Sequence, residues 1–379
     1  MDKSMKDSED KTDINKIISK VLKGSQFFLE VIGEVVPICS ATTEIIKSLQ
    51  DNLESPQIGN LKIQIQQIGE KLNNITENYR QVNKEIEKLP MDVKFSKIEE
   101  NIKGQYMYYT KILDEEPKYR DKRIEDFSDL FDKTKGESNL NELYDGVMGN
   151  GEIDILETIK NYWNRDRHVM EEFCAHLGYL FLIGISASMA YASLKGLDVS
   201  KREKEWSEKM TAVQSQMVSA IEYCKNNFED QAKTDLEKFT KKSHHDLLVE
   251  TLYSFLVKKY DWVKWSVKVY SQPKDKKKGT NDYITGNRHF TFSEADDLKV
   301  VVSYCTVPCK IDLEQIQQTF TEKMSNGNIK ELAEAIYEKM PNSLVHVIKS
   351  SKNITQMNNF SKHCYYYKQN KNCHLFVHC

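Results

Sequence analysis

The sequence predicts a predominantly helical α+β protein, in which a bundle of long helices precedes a small C-terminal antiparallel α+β domain. Three observations support this fold class. The 379 residues include only 15 Gly and 7 Pro, too few for the many turns of an all-β protein. Helical periodicity dominates before residue 260, and period-two alternation begins after it. We predict a disordered N-terminus at 1–12, an elongated bundle at 13–260 and an α+β domain at 261–379.

The first helical region begins at Asp13, which has the character of an N-cap residue. Apolar residues recur at helical spacing after it and continue through 27–49. Pro37 is expected to kink or interrupt this helix, because proline lacks the backbone N–H that the interior of a helix requires. The composition of 54–60 then predicts a turn.

The helix predicted at 61–89 shows the most regular pattern in the chain. Apolar residues alternate at spacings of four and three, as in the a/d seam of a coiled coil. The seam could pair with a second chain, but other long helices of the same chain can also cover it, which favours an internal bundle. The candidate seam residues are Leu61, Ile65, Ile68, Leu72, Ile75, Tyr79, Val82, Ile86 and Leu89.

The segment 173–194 contains no Asp, Glu, Lys or Arg, in a chain with 29% charged residues. As a helix it is long enough to cross a bilayer of about 30 Å. Two interpretations stay open: the buried central helix of a bundle, or a segment that is exposed conditionally and inserts into lipid. Helical pore-forming toxins store their membrane segment in such a bundle, so the predicted architecture resembles theirs. The candidate membrane residues are Phe173, Leu177, Leu180, Phe181, Leu182, Ile183, Gly184, Ile185, Met189 and Tyr191.

The remaining elements follow from the same two periodicities. Helices are predicted at 93–114, 118–133, 138–148, 201–241 and 246–260, and in the last third at 312–325 and 327–339. Strands are predicted at 262–270, 299–305, 343–350, 363–368 and 373–379. Small residues at Gly184, Ser188 and Ala192 form a ridge on which another helix can pack closely.

No motif of nucleotide binding, nucleophilic hydrolysis or zinc proteolysis occurs in the chain. Five cysteines crowd the last 75 residues, with His363, His374 and His378 among them, but only Cys305 and Cys309 have the spacing of a zinc knuckle. Buried strand cysteines or a disulfide are therefore favoured over a metal site. A net charge of -3 with both signs interspersed does not predict a nucleic-acid partner. We expect neither catalytic residues nor a cofactor or metal, and hence no enzyme.

The N-terminus is charged and lacks the apolar core of a signal peptide. Cytoplasmic localisation is therefore the default expectation, with association with membranes or unconventional secretion as alternatives. Eight cysteines in this length are too sparse for a disulfide scaffold, which agrees with a reducing compartment.

Several stretches resemble one known family. They include 98-IEENIKGQYMYYTKIL-113, 171-EEFCAHLGYLFLIG-184 and, most specifically, 259-KYDWVKWSV-267. Over most of its length the chain resembles the rapunzel family of fish proteins and the related cephalotoxin-like proteins. The resemblance implies no catalytic residues. It links the chain to fin and skeletal development through the rapunzel branch and to a secreted toxin through the cephalotoxin branch.

Two functions follow from these observations. The first is a non-enzymatic, membrane-interacting protein similar to pore-forming proteins, which exposes 173–194 on lipid. The second is an intracellular scaffold with a developmental role, which associates with itself or with a protein partner through its helices and has no lipid activity. A hydrolase or metal enzyme that uses the C-terminal cysteines and histidines is the third and weakest interpretation.

Overall fold

The computed structural model describes residues 16–379 except 22, 24–27, 52–55, 57, 61, 64–65, 68–69, 71–91, 241–246, 272–281, 294–297, 325–326 and 350–353. The chain divides into two compact units, Met1–Asn226 and Asn227–Cys379. The first is a helical bundle and the second an α+β domain, which confirms the predicted fold class. The predicted N-terminal segment 1–12 and every residue of the predicted coiled-coil seam lie outside the described residues.

The boundary between the units differs from the predicted one at 260/261. Two helices assigned by sequence to the bundle belong to the second unit, because their apolar faces pack on its first β-sheet. The helix predicted at 201–241 is accordingly two helices that separate at Asn227. Phe228 begins the second of them and makes edge-on ring contacts with Trp265 and Tyr304 of the sheet.

The helical unit includes seven helices with defined bounds, preceded by a 3₁₀ turn at Ile32–Glu34, and further helical residues lie before this turn and between the first two of these helices. The seven helices are α1 (Val36–Gln50), α2 (Asp92–Asp114), α3 (Pro117–Lys133), α4 (Gly136–Val147), α5 (Ile155–Tyr162), α6 (Arg167–Leu194) and α7 (Val199–Asn226). Pro37 lies in the first turn of α1, where its missing N–H costs no hydrogen bond. The predicted interruption at this proline is therefore confirmed.

The second unit begins with two helices and continues with eight strands and two further helices among its described residues. The elements are α8 (Phe228–Thr240), α9 (Leu248–Lys259), β1 (Lys264–Ser271), β2 (Asp282–Thr285), β3 (His289–Ser293), β4 (Leu298–Cys305), α10 (Leu313–Met324), α11 (Ile329–Lys339), β5 (Leu344–Lys349), β6 (Ile354–Asn358), β7 (Tyr365–Asn370) and β8 (Cys373–His378). Five of these strands correspond to the predicted ones. The sequence did not predict β2, β3 and β6, which are short and lie at sheet edges.

The strands form two four-stranded antiparallel sheets with the orders β3-β4-β1-β6 and β2-β5-β8-β7. Helices α8 and α9 cover the outer face of the first sheet, and α10 and α11 cover the outer face of the second. The inner faces meet, as side chains of β1 and β4 contact side chains of β5 and β8. The unit is therefore a four-layer arrangement of helices, sheet, sheet and helices.

The two halves of this unit repeat one another. Each half has two helices followed by four strands, and β1, β3 and β4 occupy the same relative positions in their sheet as β5, β7 and β8 in the other. The second strand of each half crosses to the opposite sheet: β2 pairs with β5, and β6 pairs with β1. This exchange ties the two sheets together, because neither half completes a sheet from its own strands.

Candidate functional site: the enclosed central helix

The candidate membrane segment lies within α6, a helix of 28 residues. Asp166 caps its N-terminus, since the carboxylate accepts hydrogen bonds from the backbone N–H groups of His168 at 3.0 Å and Val169 at 3.3 Å. At about 1.5 Å per residue the helix exceeds the hydrocarbon thickness of a bilayer. Among the described residues, α6 alone is long and apolar enough to cross a membrane by length and composition.

In the structure α6 is the central helix of the bundle. It contacts α1 to α5 and α7, and these neighbours cover it over almost its whole circumference. Nine of the ten candidate membrane residues are buried, and Tyr191 is half-buried. The closed bundle thus gives these side chains an apolar environment made of protein instead of lipid.

Small residues let neighbouring chain segments approach α6 closely. A Cβ atom on Gly184 would lie 2.5 Å from a methyl carbon of Leu140 on α4, far closer than two carbons can approach. A Cβ on Gly178 would lie 2.8 Å from Ile32 Cδ1. Of the predicted ridge at Gly184, Ser188 and Ala192, the first two residues therefore lie on the surface against which α4 packs.

Polar contacts hold α6 in place at Ser188. The Ser188 hydroxyl donates a hydrogen bond of 2.5 Å to the Glu137 carboxylate on α4. The Arg202 guanidinium on α7 donates to the same carboxylate oxygen and lies 3.2 Å from the Ser188 hydroxyl oxygen. One carboxylate thus links three helices through a side chain of the central one.

A second polar contact lies nearer the N-terminus of α6. His176 Nε2 is 3.4 Å from a carboxylate oxygen of Glu99 on α2, and the Lys103 ammonium contacts the other oxygen. Burial by itself would raise the pKa of the Glu99 carboxyl, but the hydrogen bond and charge of His176, together with Lys103, hold this pKa at about 2. Glu99 is therefore ionised over the physiological pH range.

Further contacts involve backbone carbonyls and the end of the helix. Thr42 on α1 donates to the carbonyl of Ser186 at 3.3 Å, and the Ser186 hydroxyl donates at 2.8 Å to the carbonyl of Leu182 one turn earlier. Near the C-terminus, Tyr191 donates a 2.5 Å hydrogen bond to Asp132 on α3. This bond raises the pKa of Tyr191 to about 12.

The C-terminal cysteines do not converge on a metal geometry. Among the described residues, no group of three or more His, Cys, Asp or Glu side chains could hold an ion. Cys309 and Cys379 form a disulfide, and the remaining cysteines of this region, Cys305, Cys364 and Cys373, are buried thiols. The structure thus contains both the strand cysteines and the disulfide that the sequence favoured.

The sequence did not predict a group of buried polar side chains in the second unit. Lys268, Asp282, His346 and His378 lie between the two sheets of the second unit and are almost fully buried. The alternation of polar and apolar residues along β1 normally indicates that the polar face meets solvent. No sequence signal showed that a second sheet covers that face.

Comparison with known proteins agrees with this architecture. The family model for the cephalotoxin-like middle helical domain matches residues 51–246, just over half of the chain. Protein rapunzel of Danio rerio is 30% identical over 220 residues, which cover 57% of this chain and 97% of rapunzel. The chain belongs to the rapunzel/cephalotoxin-like family.

Helix α6 lies within the residues that match the cephalotoxin-like middle helical domain. The two-sheet part of this rapunzel/cephalotoxin-like chain, after residue 246, lies outside that domain match. No solved structure matches the chain.

Proposed function

We propose that this protein is a non-enzymatic, membrane-interacting member of the rapunzel/cephalotoxin-like family, which stores α6 in its bundle and exposes it on lipid. The observation that carries the proposal is the combination of length, composition and burial in α6. The helix can span a bilayer, and the closed bundle protects its apolar surface from water. By the analogy with helical pore-formers, release of such a helix would give the protein a pore-forming-like activity.

The polar atoms of α6 are compatible with transfer into lipid. The Ser186 hydroxyl donates to a carbonyl of its own helix and keeps that bond wherever the helix goes. A helix also satisfies its backbone N–H and C=O groups internally, as a bilayer requires. His176, Ser188 and Tyr191 would lose charged partners on release.

The hydrogen bond between Ser188 and Glu137 provides the sharpest test. Glu137→Gln weakens the contacts to Ser188 and Arg202 and leaves the sequence of α6 unchanged. Glu142→Gln is the matched control on the same helix, since Glu142 is exposed and meets Lys94 and Ser138. Each protein is mixed with dye-loaded vesicles of phosphatidylcholine, alone or with phosphatidylglycerol, at neutral and acidic pH. Leakage and flotation are then measured.

We expect the Glu137→Gln variant to release more dye than the wild type and the control to match the wild type. A Gly184→Glu variant that still folds should release less, because it places a charge in the membrane segment. Absence of binding and leakage for wild type and Glu137→Gln, with every vesicle and at both pH values, would refute the proposal.

The alternative is an intracellular scaffold with a developmental role, acting through a protein partner or self-association and not through lipid. The burial of the apolar stretch of α6 favours it, because the core helix of a soluble bundle has the same composition as a membrane span. This function predicts no vesicle leakage and a defined complex in solution, measurable by light scattering. We also propose that the chain binds no nucleic acid and is cytoplasmic unless it reaches a membrane or is secreted unconventionally.

A further inference from the structure

The inner faces of the two sheets enclose a layer of polar side chains. The Tyr270 hydroxyl donates to Asp282 at 2.8 Å and lies 3.3 Å from His346 Nε2. The same Asp282 oxygen is 3.6 Å from His346 Nε2 and 2.6 Å from the Lys299 ammonium. One carboxylate therefore contacts a histidine, a lysine and a tyrosine. His346 is fully enclosed, and its Nδ1 has no hydrogen-bond partner within the described structure.

Two further basic groups in this layer have only neutral partners among the contacts of the described residues. Lys268 donates to the Ser266 hydroxyl at 2.9 Å, and its ammonium lies 5.0 Å from the centre of the Phe376 ring. His378 Nε2 is 2.8 Å from the Ser303 hydroxyl. Lys268 is 0% exposed and His378 1% exposed, so water cannot solvate a charge on either.

Other titratable groups face this layer. On β3, His289 lies opposite Ser303 on the inner face, and burial, with Lys299 and Lys268 nearby, lowers its pKa. The neighbours of this layer on β7 and β8 are aromatic: Tyr365 stacks on the His378 ring, and Tyr367 hydrogen-bonds His374. Asp282 and Lys299 supply one charge of each sign. Protonation of His346 and His378 would add two positive charges, and a charged Lys268 a third, with no further carboxylate among the described contacts.

We propose that the two-sheet unit is an acid sensor, in which protonation of His346 and His378 between the sheets drives the sheets apart at mildly acidic pH. This device concerns residues 227–379 and does not depend on lipid binding by α6. It is a regulatory function of the second unit of this chain, distinct from the proposed membrane activity.

The direction of the pH dependence follows from the burial of both histidines. Burial lowers the pKa of His346 to about 4, and Asp282 only partly offsets this effect. Burial, with Lys268 and His346 nearby, lowers the pKa of His378 well below 6.5. The open state therefore binds protons that the closed state excludes, and stability falls as the pH drops from 6.5 toward the folded pKa values. His346 alone should raise the opening constant about 80-fold between pH 6.5 and pH 4.

The chain carries a reporter for this opening. Cys305 is a buried thiol on β4, two residues from Ser303 and on the same inner face of the sheet. Cys174 on α6 is a buried thiol of the other unit and serves as an internal control. The full-length protein is labelled with dithiodipyridine, which reacts with thiols under acidic conditions, from pH 7.5 to pH 4. Labelling of each cysteine is then measured by peptide mass spectrometry.

We expect the labelling rate of Cys305, corrected for the reagent's own pH dependence, to rise at least tenfold between pH 6.5 and pH 4.5, and that of Cys174 to rise much less. His346→Gln should flatten the rise, because glutamine takes up no proton. His363→Gln is the matched control at an exposed position and should behave like the wild type. A flat profile for Cys305 in the wild type, or an equal change in the control, would overturn the proposal.

A second measurement covers the outcome that His346→Gln does not fold. Histidine C2-hydrogen exchange on the wild-type chain gives the titration of each histidine separately. Protonation of His346 and His378 should coincide with the rise in Cys305 labelling. Titration of both histidines at their ordinary values while Cys305 stays protected would refute the acid sensor.

Discussion

Replacing Lys268 with methionine should stabilise the two-sheet unit at neutral pH. The side chain is 0% exposed, and burial lowers the pKa of its ammonium from 10.5 to about 7. Each unit of pKa corresponds to about 1.36 kcal/mol, so the buried ammonium costs up to about 5 kcal/mol relative to the unfolded chain. Methionine has a similar length and carries no charge.

The net gain is smaller because methionine also removes favourable contacts. The hydrogen bond to Ser266 is worth about 1 kcal/mol, and the interaction with the Phe376 ring a similar amount. We therefore expect the free energy of unfolding to rise by about 2–4 kcal/mol at pH 7. The penalty of the lysine is fully present below the folded pKa, decreases as the pH rises, and vanishes above the unfolded value of 10.5. The advantage of the variant should shrink accordingly between pH 7 and pH 10.5.

Urea unfolding at both pH values measures this difference, with hydrogen exchange of β1 and β4 peptides assigning the transition to the two-sheet unit. Lys264→Met on the same strand is the control, since Lys264 is half-buried and should change stability little. Destabilisation by Lys268→Met at pH 7, or a gain that does not depend on pH, would show that Lys268 is not a buried charge held at a cost.

Three further predictions concern packing, charge and the disulfide. Gly184→Ala should lower the free energy of unfolding of the bundle by about 1–3 kcal/mol, seen as a lower Tm, because its Cβ would clash with a leucine of α4. Gly104→Ala, with open space around it, should instead stabilise α2 by about 0.5–1 kcal/mol. Glu99→Gln should flatten the acid denaturation profile of the bundle. The depressed pKa of Glu99 contributes about 3 kcal/mol of stability above pH 4.5, and this contribution is lost as the pH falls toward 2. Cys309→Ser should destabilise the second unit by about 4 kcal/mol in urea unfolding, because the disulfide to Cys379 closes a span of 70 residues. Addition of a reductant should destabilise the wild type by a similar amount and leave the stability of the variant unchanged.

The elements with strong periodicity were predictable from sequence. The uncharged segment 173–194 identified α6, and alternation identified β1, β4, β5, β7 and β8. Each of these elements buries a face or a whole circumference, so its residue pattern reflects its surroundings directly. The predicted boundary at 260/261 was wrong because a helix pattern shows that a face is buried but not which partner buries it.

The polar layer between the sheets could not be predicted for a physical reason. Ser266, Lys268 and Tyr270 alternate with apolar residues on β1, as they would on a sheet with one solvated face. Their burial results from pairing over long sequence separations: β2 adds to the sheet of β5, and β6 to the sheet of β1. The exchange of these strands between the two halves is a property of topology, and no local pattern encodes it.

The balance between an enclosed and a released α6 depends on its polar contacts more than on its apolar ones. Lipid tails are as apolar as the side chains of a bundle core, so moving Leu180 or Ile183 from one to the other changes little free energy. The contacts that lipid cannot replace include those of His176 with Glu99, of Ser188 with Glu137 and of Tyr191 with Asp132. Leaving a buried polar group unpaired costs about 1–3 kcal/mol, more for a charged one. The apolar faces of α1 and α7 that α6 would leave behind add a cost of their own, unless lipid covers them too. The polar contacts at Glu99 and Glu137 are thus the positions where a small chemical change can most shift the proposed equilibrium between enclosed and released α6.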